Sequence, residues 1–207
     1  LTISVAPVFA SKWLVPRLDG FQSAHPDIDV RISASMGLAD FSLGDVDLAI
    51  RYGAGSYPDL ESELLIRDTV YPVCSPALVD CENPLTVPEM LRAHTLLHDD
   101  SPDGDETCPT WPMWVKAAGL AGIDAHRGPR FNQASLVLEA AILGRGVALA
   151  KSTLADADIA SGRLVKPFDL TLPVRFAYYT VHPRAKGLLP KVRLFKEWLR
   201  TQVPTAE

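Results

Sequence analysis

The sequence contains only three cysteines in 207 residues, Cys74, Cys81 and Cys108, and it has no C-x-x-C pair. An odd number of widely spaced cysteines predicts free thiols, which suits a reducing cytosol. No apolar run is long enough to cross a bilayer, and no basic and apolar leader precedes the first strand-like residues. We therefore expect a cytoplasmic protein with no membrane partner. Because Leu1 already lies in a strand-like pattern, we also expect the natural start upstream.

Signatures of enzymes and cofactors are also missing. The sequence has no G-x-S-x-G, no P-loop and no H-E-x-x-H. Gly144 and Gly146 follow a helical pattern and precede a strand, the reverse of a dinucleotide-binding turn, so their predicted role is to end that helix. His98 is followed by Asp99 but has no other His or Cys at ligand spacing. We expect no enzymatic activity, no cofactor and no metal.

Acidic residues outnumber basic residues, 25 to 20, which gives a net charge of −5. Such a surface does not neutralise phosphates across a broad face, so nucleic acid is a poor partner for this chain. A local acidic cluster comprises Asp99, Asp100, Asp103, Asp105 and Glu106. A solvated loop is the commoner meaning of such a cluster, and a bound divalent cation is the alternative.

Hydrophobic residues make up 47% of the chain, enough for a substantial core. Residues 1–6 and 28–35 alternate apolar and polar side chains with the period of a strand. Between them Phe9, Trp13, Leu14, Leu18 and Phe21 recur at helical spacing. A further strand, 46–51, follows a short acidic turn. This opening predicts an α/β protein with parallel strands.

The remaining pattern divides the chain into thirds. Pro72 and Pro76 interrupt a strand-like run and suggest that the chain leaves one sheet for another, and 166–169 is a second crossing. The elements predicted after the first crossing are helices at 87–91, 111–120, 135–143 and 154–160 and strands at 94–98, 130–132 and 146–150. A strand at 176–181 and a helix at 188–199 follow the second crossing. No internal repeat is present.

Several short segments of the sequence resemble those of one protein family. Trp13-Leu-Val-Pro-Arg-Leu18, Ala24-His-Pro-Asp-Ile-Asp-Val-Arg-Ile-Ser-Ala-Ser35 and Asp45-Val-Asp-Leu-Ala-Ile-Arg-Tyr-Gly53 are similar to the effector-binding domains of LysR-type transcriptional regulators. The resemblance is strongest to the branch of the glycine-cleavage activator and the β-lactamase regulator. It continues through Phe131-Asn132, Gly144–Leu149 and Gly162–Phe168.

The resemblance implies a type 2 periplasmic-binding-protein-like fold, in which two Rossmann-like lobes are joined by two crossover strands. Lobe I would comprise 1–71 plus 169–207, and lobe II would be the inserted 72–168. A winged helix-turn-helix would precede Leu1 and make the only DNA contact. Ligands of open parallel sheets lie at the carboxyl ends of strands, so we expect a small effector in the cleft between the lobes.

Two helix beginnings are expected at that cleft, and their unpaired N–H groups favour an anion. One comprises Val8, Phe9, Ala10 and Ser11, and the other comprises Gln133, Ala134 and Ser135. Either serine could bind the effector or satisfy its own helix. Ser35, Met36, Arg51 and His98 end strands and complete the candidate set. Arg51 could hold an anion or pair with a nearby aspartate.

Position by position, the β-lactamase regulator implies roles for four residues. Its hydroxyl ligand after the first strand falls on Val8, and its serine on the second-lobe helix falls on or near Ala134, so two polar contacts are lost. Its tyrosine on the returning strand matches Tyr178, and an aspartate that affects signalling matches Asp40. The effector is therefore expected to be smaller or less polar than a cell-wall muropeptide, such as an organic acid or an amino acid.

The leading hypothesis is the ligand-sensing and dimerisation domain of a bacterial regulator. The family implies a homodimer through lobe I helices, and a tetramer at full length, with Trp13, Arg17, Phe21, Phe195 and Trp198 divided between core and interface. The alternative is a periplasmic solute-binding protein of the same fold, which a signal peptide upstream of Leu1 would favour.

Overall fold

The computed structural model describes residues 1–37, 41, 44–101 and 105–203. Its chain forms two compact units, Leu1–Arg67 with Phe176–Glu207 (unit 1) and Asp68–Arg175 (unit 2). Unit 1 is therefore built from both ends of the sequence, and unit 2 from the middle. No helix among the described residues has the length and apolar character needed to span a membrane.

Unit 1 has a mixed sheet at its centre. β1 (Thr2–Val5) pairs in parallel with β2 (Arg31–Ala34) and β3 (Leu48–Gly53), and β3 pairs antiparallel with β8 (Leu172–His182). β4 (Glu61–Val73) follows β8, which gives the order β2-β1-β3-β8-β4. Ile3 and Val5 are fully buried as expected, but Ser4 between them is only 3% exposed, so burial does not alternate along β1. β2 is shorter than the predicted 28–35.

The first segment of unit 1 is helical, as the spacing of its apolar residues predicts, but it changes pitch near Pro16, where the sequence predicts a kink or a late start. It comprises α1 (Pro7–Phe9), a π turn (Ala10–Leu14), a 3₁₀ turn (Val15–Arg17) and α2 (Leu18–Ala24). Pro16 has no N–H for the Lys12 carbonyl, so the i to i−4 ladder is interrupted and the turns on either side change pitch. α6 (Arg184–Gly187) and α7 (Pro190–Thr201) complete the unit, and Pro190 occupies the first turn of α7.

The strand order continues in unit 2 as β4-β7-β5-β6. β5 (Leu96–Asp99) pairs in parallel with β6 (Arg130–Phe131) and with β7 (Val147–Lys151), and β7 pairs antiparallel with the second half of β4. Its helices are α3 (Trp111–Ala117), α4 (Ala134–Ile142) and α5 (Ser152–Ala160). Trp111, Trp114, Leu91 and Leu96 belong to its apolar core.

Three local expectations for unit 2 can be compared with the structure. The helix expected at 87–91 is a 3₁₀ helix, Pro88–Ala93, because Pro88 begins it and His94 is already extended six residues later. The chain does not change strand at Pro72, which lies inside the 13-residue β4. Gly144 ends α4 with φ +71°, as predicted, and the next amide, of Arg145, bonds back to Ala140.

Candidate functional site

A cavity of about 320 Å³ lies wholly within unit 2, beside the carboxyl ends of β5 and β7. Its walls come from the residues after β5, the segment 105–112, the beginning of α4 and the beginning of α5. Ligand sites of open α/β sheets occur at this end of the strands, because the loops there can diverge around a ligand. The position and volume are those of a small-molecule site.

The inner wall of the cavity is apolar. Trp111 is 2% exposed, and its indole Nε1 donates a hydrogen bond to the Leu97 carbonyl at 2.9 Å. Leu97, Val137, Leu138, Ala150 and Leu154 form the rest of this wall. Because Trp111 is fixed by a hydrogen bond as well as by packing, the wall is rigid enough to give the cavity a defined shape.

His98, one of the predicted effector residues, is the most buried titratable side chain of the cavity together with Asp105, both being 7% exposed. Its Nε2 lies 3.1 Å from the Arg127 carbonyl oxygen, which can only accept, so Nε2 carries the proton in the neutral ring. A Cβ built on Gly128 would lie 3.2 Å from the His98 Cδ2. The Nε2–Cδ2 edge of the ring therefore faces the backbone of 127–128.

The rim of the cavity is charged, with an excess of carboxylates. Among the described lining residues are four carboxylates, Asp99, Asp100, Asp105 and Glu106, and two permanent cations, Arg130 and Lys151. Arg130 Nη1 pairs with Asp100 Oδ1 at 3.1 Å, and both side chains are about half exposed. Such a pair contributes roughly 0–1 kcal/mol, so it orders the rim more than it stabilises the fold.

The sequence identifies this acidic segment as a cluster. The structure shows that two of its aspartates accept backbone hydrogen bonds, which the pattern does not predict. Asp99 Oδ1 accepts the Ser101 amide at 2.9 Å, and Asp105 Oδ1 accepts the Thr107 amide at 3.0 Å. Both are local turn motifs among the residues that line the cavity or adjoin them. Asp103 lies outside the described residues. Over the described ranges no group of three or more His, Cys, Asp or Glu is placed to hold a metal ion.

The beginning of α4 contributes Ala134 to the cavity. Gln133 is its N-cap and makes no side-chain capping bond, and Ser135 is half-buried. The first-turn amides of a helix have no intrahelical acceptor, and they give this edge of the cavity a partial positive charge. Of the predicted second-lobe residues, the structure thus brings His98 and Ala134 to one cavity.

The predicted residues of unit 1 form a separate set. Phe9 is fully buried and stacks on Tyr178 and Trp13, with ring centroids 4.0 and 5.0 Å apart. The Ser11 hydroxyl donates to the Val8 carbonyl at 3.1 Å, so it satisfies its own first turn. Val8 is half-buried and Ala10 is buried. Phe9 and Tyr178 therefore meet in a packed aromatic stack.

Arg51 does not pair with the nearby aspartate that the sequence offered as its partner, and its binding of an anion stays a prediction. Its Nη1 donates to the Ile50 carbonyl at 2.9 Å, and Nη2 donates to the Ser4 hydroxyl at 2.5 Å and to the Gly37 carbonyl at 2.9 Å. The aspartate considered as its partner, Asp47, pairs instead with Lys186 and Lys191. Burial lowers the pKa of Arg51, an effect that Tyr57 partly offsets. Two of its nitrogens thus serve the backbone and a hydroxyl.

Ser35, Met36 and Asp40 follow β2 in the sequence. Ser35 and Met36 are exposed, and the Ser35 hydroxyl accepts the Gly37 amide at 3.2 Å. Asp40 lies outside the described residues. Its expected part in signalling stays a prediction.

Five residues were expected to divide between the core and a dimer interface. Four of them are buried within unit 1 and expose little side-chain surface. Phe21 and Phe195 are fully buried and meet edge to face at 5.0 Å, and Trp198 packs on both rings. Trp13 is buried under the Arg17 guanidinium, which lies 4.8 Å from its ring centroid. Arg17 alone of the five is partly exposed. Dimerisation through these helices stays a prediction.

The three cysteines are free thiols in different settings. Cys74 is fully buried, and burial raises the pKa of its thiol to about 12, which makes it unreactive at neutral pH. Cys81 is exposed, and Cys108 is half-buried and lines the cavity. Whether any of them senses oxidation is not a property of the fold.

The lining residues that sequence reasoning missed are Arg130, Lys151 and Trp111. They are separated from His98 by 13 to 53 positions in the sequence, so no local pattern joins them. The parallel pairing of β5 with β6 and β7 brings them together. The one signal available was that Arg130 begins the predicted strand 130–132 and Lys151 directly follows the predicted strand 146–150.

Fold and cavity together define a type 2 periplasmic-binding-protein-like ligand-binding domain. The chain belongs to the family of LysR substrate binding domains, which matches residues 1–204. It is 44% identical over 199 residues to the glycine cleavage system transcriptional activator of Escherichia coli K12, covering 96% of this chain and 63% of that protein. The transcriptional activator AmpR of Providencia stuartii is 33% identical over 203 residues, covering 98% of this chain and 66% of that protein.

Solved structures agree with this assignment. The effector domain of AmpR from Pseudomonas aeruginosa is similar with a TM-score of 0.76 and 31% identity, covering 97% of this chain and 93% of that one. The AmpR effector-binding domain of Citrobacter freundii also has a TM-score of 0.76, with 28% identity and coverage of 97% and 96%. The expected family, branch and fold class are confirmed. Relatives in this family are transcriptional regulators and not enzymes, as expected. The chain spans about 63% of the length of the glycine cleavage activator that it matches.

Proposed function

We propose that this chain is the ligand-sensing and dimerisation domain of a bacterial LysR-type transcriptional regulator, active in the cytoplasm. The observation that carries the proposal is the cavity of about 320 Å³ in a chain of this family, with an apolar wall and converging polar groups. The part of the relatives that this chain does not match would supply DNA binding. A net charge of −5 agrees with DNA binding by a separate part of the protein, because this chain is poorly suited to bind phosphates.

The proposed mechanism is a population shift. An effector that binds one state of the domain more tightly than another moves the equilibrium toward that state, by as much as its affinity differs between the two. The change in lobe and dimer geometry would then alter promoter binding. The effector is proposed to carry a carboxylate, because the free amides at the beginning of α4 border the cavity at Ala134.

Calorimetric titration and thermal-shift screening test the proposal on the chain as it stands. Amino acids, organic acids, purines and peptidoglycan fragments form the library. A ligand at a hundred times its Kd should add about 2.7 kcal/mol to the free energy of unfolding. A library in which no compound shifts the melting temperature at millimolar concentration would contradict the proposal.

A matched pair of variants on α4 locates the site. Ala134→Phe places a ring in the cavity and should weaken binding of any hit at least tenfold. Leu136→Phe places the same ring at a residue that is 49% exposed on the same helix and is not part of the cavity lining, so it should leave binding unchanged. Equal affinity in both variants would mean that the ligand binds elsewhere.

A further inference from the structure

Beyond the cavity proposed for the effector (the first cavity), we infer that unit 2 has a second ligand site, which binds a hydroxylated phosphate monoester such as a sugar phosphate. This second cavity has a volume of about 510 Å³ and lies at the amino end of β5, where Thr95 and Leu96 line it. The first cavity lies at the other end of the same strand, beside Asp99 and Asp100. The two cavities differ in the charge of their walls.

The wall of the second cavity has an excess of positive charge. Its described lining residues include two permanent cations, Arg92 and Arg127, and one carboxylate, Asp124. In the first cavity the described lining residues include four carboxylates and two permanent cations, and the whole chain has a net charge of −5. A ligand with two negative charges is therefore repelled by the first cavity and by most of the surface, and it is attracted to the second cavity.

Both guanidinium groups of the second cavity are available to a ligand. Arg92 Nε donates to the Glu89 carbonyl at 2.9 Å, which holds one edge of the group, and its two Nη atoms have no bond among the described residues. The Arg127 side chain makes no hydrogen bond or ion pair within the same ranges. A guanidinium presents its N–H donors as a planar fork that matches the oxygens of a phosphate, so two of them suit a phosphate monoester.

The remaining lining residues suit the hydroxylated part of the ligand. Asp124 Oδ1 accepts the His126 amide at 3.2 Å, and Oδ2 has no hydrogen bond among the described residues, so it can accept from a hydroxyl group. Thr95 adds a hydroxyl group of its own to the wall. A cavity of this volume holds a small organic molecule and not only a phosphate ion. These features together favour a sugar phosphate over inorganic phosphate.

One short segment forms part of both cavities. Arg127 lines the second cavity, whereas its neighbours His126 and Arg130 line the first. The Arg127 carbonyl oxygen lies 3.1 Å from His98 Nε2, and the Pro129 carbonyl accepts the His98 amide at 2.9 Å. A phosphate bound by the Arg127 side chain therefore acts on the segment that positions His98 in the first cavity.

Calorimetric titration of the chain at constant ionic strength tests the second cavity with three probes. Ribose 5-phosphate is the ester, inorganic phosphate is its anionic part alone, and ribose is its hydroxylated part alone. We expect the ester to bind at millimolar concentration, inorganic phosphate to bind about threefold or more weakly, and ribose to give no heat of binding. Absence of binding by the ester, or equal affinity for the ester and either of its parts, would overturn the inference.

Three variants that each remove one positive charge locate the site. Arg92→Gln and Arg127→Gln change exposed side chains, so the fold is kept, and each should weaken binding of the ester about tenfold because charge-assisted hydrogen bonds are lost. Arg145→Gln changes an exposed arginine of unit 2 that lines neither cavity, and it should leave the affinity unchanged. Equal affinities in all three variants would mean that the two arginines do not form a site.

Two further variants test the hydroxyl contact and separate the two cavities. Asp124→Asn keeps an acceptor for the His126 amide but removes the second carboxylate oxygen, so the preference for the ester over inorganic phosphate should fall. An unchanged preference would contradict a hydroxylated ligand. Ala134→Phe places a ring in the first cavity and should leave the affinity for the ester unchanged. If this variant abolishes binding of the ester, the ester occupies the first cavity, and the second site is wrong while the proposed function stands.

Discussion

Asp68 offers the sharpest test of what holds unit 2 together. It is 3% exposed on β4, and its carboxylate accepts hydrogen bonds from the Thr69 and Thr153 amides at 3.0 and 3.1 Å. It also accepts from the hydroxyls of Ser152 and Thr153 at 2.5 and 2.6 Å. The N-cap residue of α5, Lys151, makes no side-chain capping bond. Asp68 therefore caps α5 from a strand more than eighty residues earlier.

The cost of removing this carboxylate can be worked from its bonds. A hydrogen bond to a charged group contributes about 1.5–3 kcal/mol, and loss of a helix cap alone costs about 1 kcal/mol. The four bonds share one acceptor group and do not add, and breaking a buried polar network costs roughly 3–5 kcal/mol. We expect Asp68→Ala to lower the free energy of unfolding by about 3–4 kcal/mol. Asp68→Asn keeps one acceptor, so it should cost about half as much.

Urea unfolding followed by tryptophan fluorescence measures this loss. With a slope of about 2–3 kcal/mol/M, the midpoint should fall by about 1–2 M. Hydrogen exchange of the α5 amides should show that its first turn loses protection. Asp169→Ala, on the surface of the same unit, is the control and should stay within about 0.5 kcal/mol of the wild type. An Asp68→Ala variant as stable as this control would refute the reasoning.

Two further predictions concern a charge and a glycine. Burial alone would raise the pKa of Asp47, but hydrogen bonds from Lys191, the Thr2 amide and Lys186 outweigh it and hold the pKa below its ordinary 3.8. Asp47→Asn should therefore cost about 1–2 kcal/mol at neutral pH, and the difference should disappear as the pH falls below 3.8, since protonation removes the same bonds. A difference independent of pH in urea unfolding would contradict this. Gly128→Ala should prevent folding, because its Cβ would lie 1.9 Å from the Leu96 carbonyl oxygen. Gly122→Ala meets no atom within 4 Å and should cost only about 1 kcal/mol, for its positive φ; equal yields of soluble protein would be the opposite result.

Local sequence patterns predicted the structure where contacts between residues close in the sequence determine it. Ile3 and Val5 are buried as the alternation of residues 1–6 predicts, and Gly144 takes the left-handed conformation expected at a helix end. The failures arise where distant residues decide. Pro16 sits in a helical pattern, yet packing keeps the segment helical by changing its pitch instead of ending it. The spacing of apolar residues does not predict such a change of helical pitch.

For the candidate site, too, the sequence predicted local features but not the contacts between distant residues. His98 was identified as the end of a strand, and Ala134 as the beginning of a helix, so their presence at one cavity follows from the topology. For the acidic segment the sequence predicted a solvated loop, with a bound divalent cation as the alternative, and not a place in the lining of the cavity, because that place depends on contacts across unit 2. For Arg51 the sequence offered an aspartate partner or an anion, and its guanidinium bonds instead to the Ser4 hydroxyl and the Gly37 carbonyl, while anion binding stays a prediction. Charge alone does not identify a partner.

The split composition of unit 1 has a consequence for synthesis. β3 is hydrogen-bonded to β8, and Phe21 packs against Phe195 and Trp198. None of these contacts can form until β8 and α7 have emerged from the ribosome, whereas every strand and helix that lies wholly inside unit 2 emerges before them. The first part of unit 1 therefore waits, with Phe21 lacking its aromatic partners, until α7 has been synthesised.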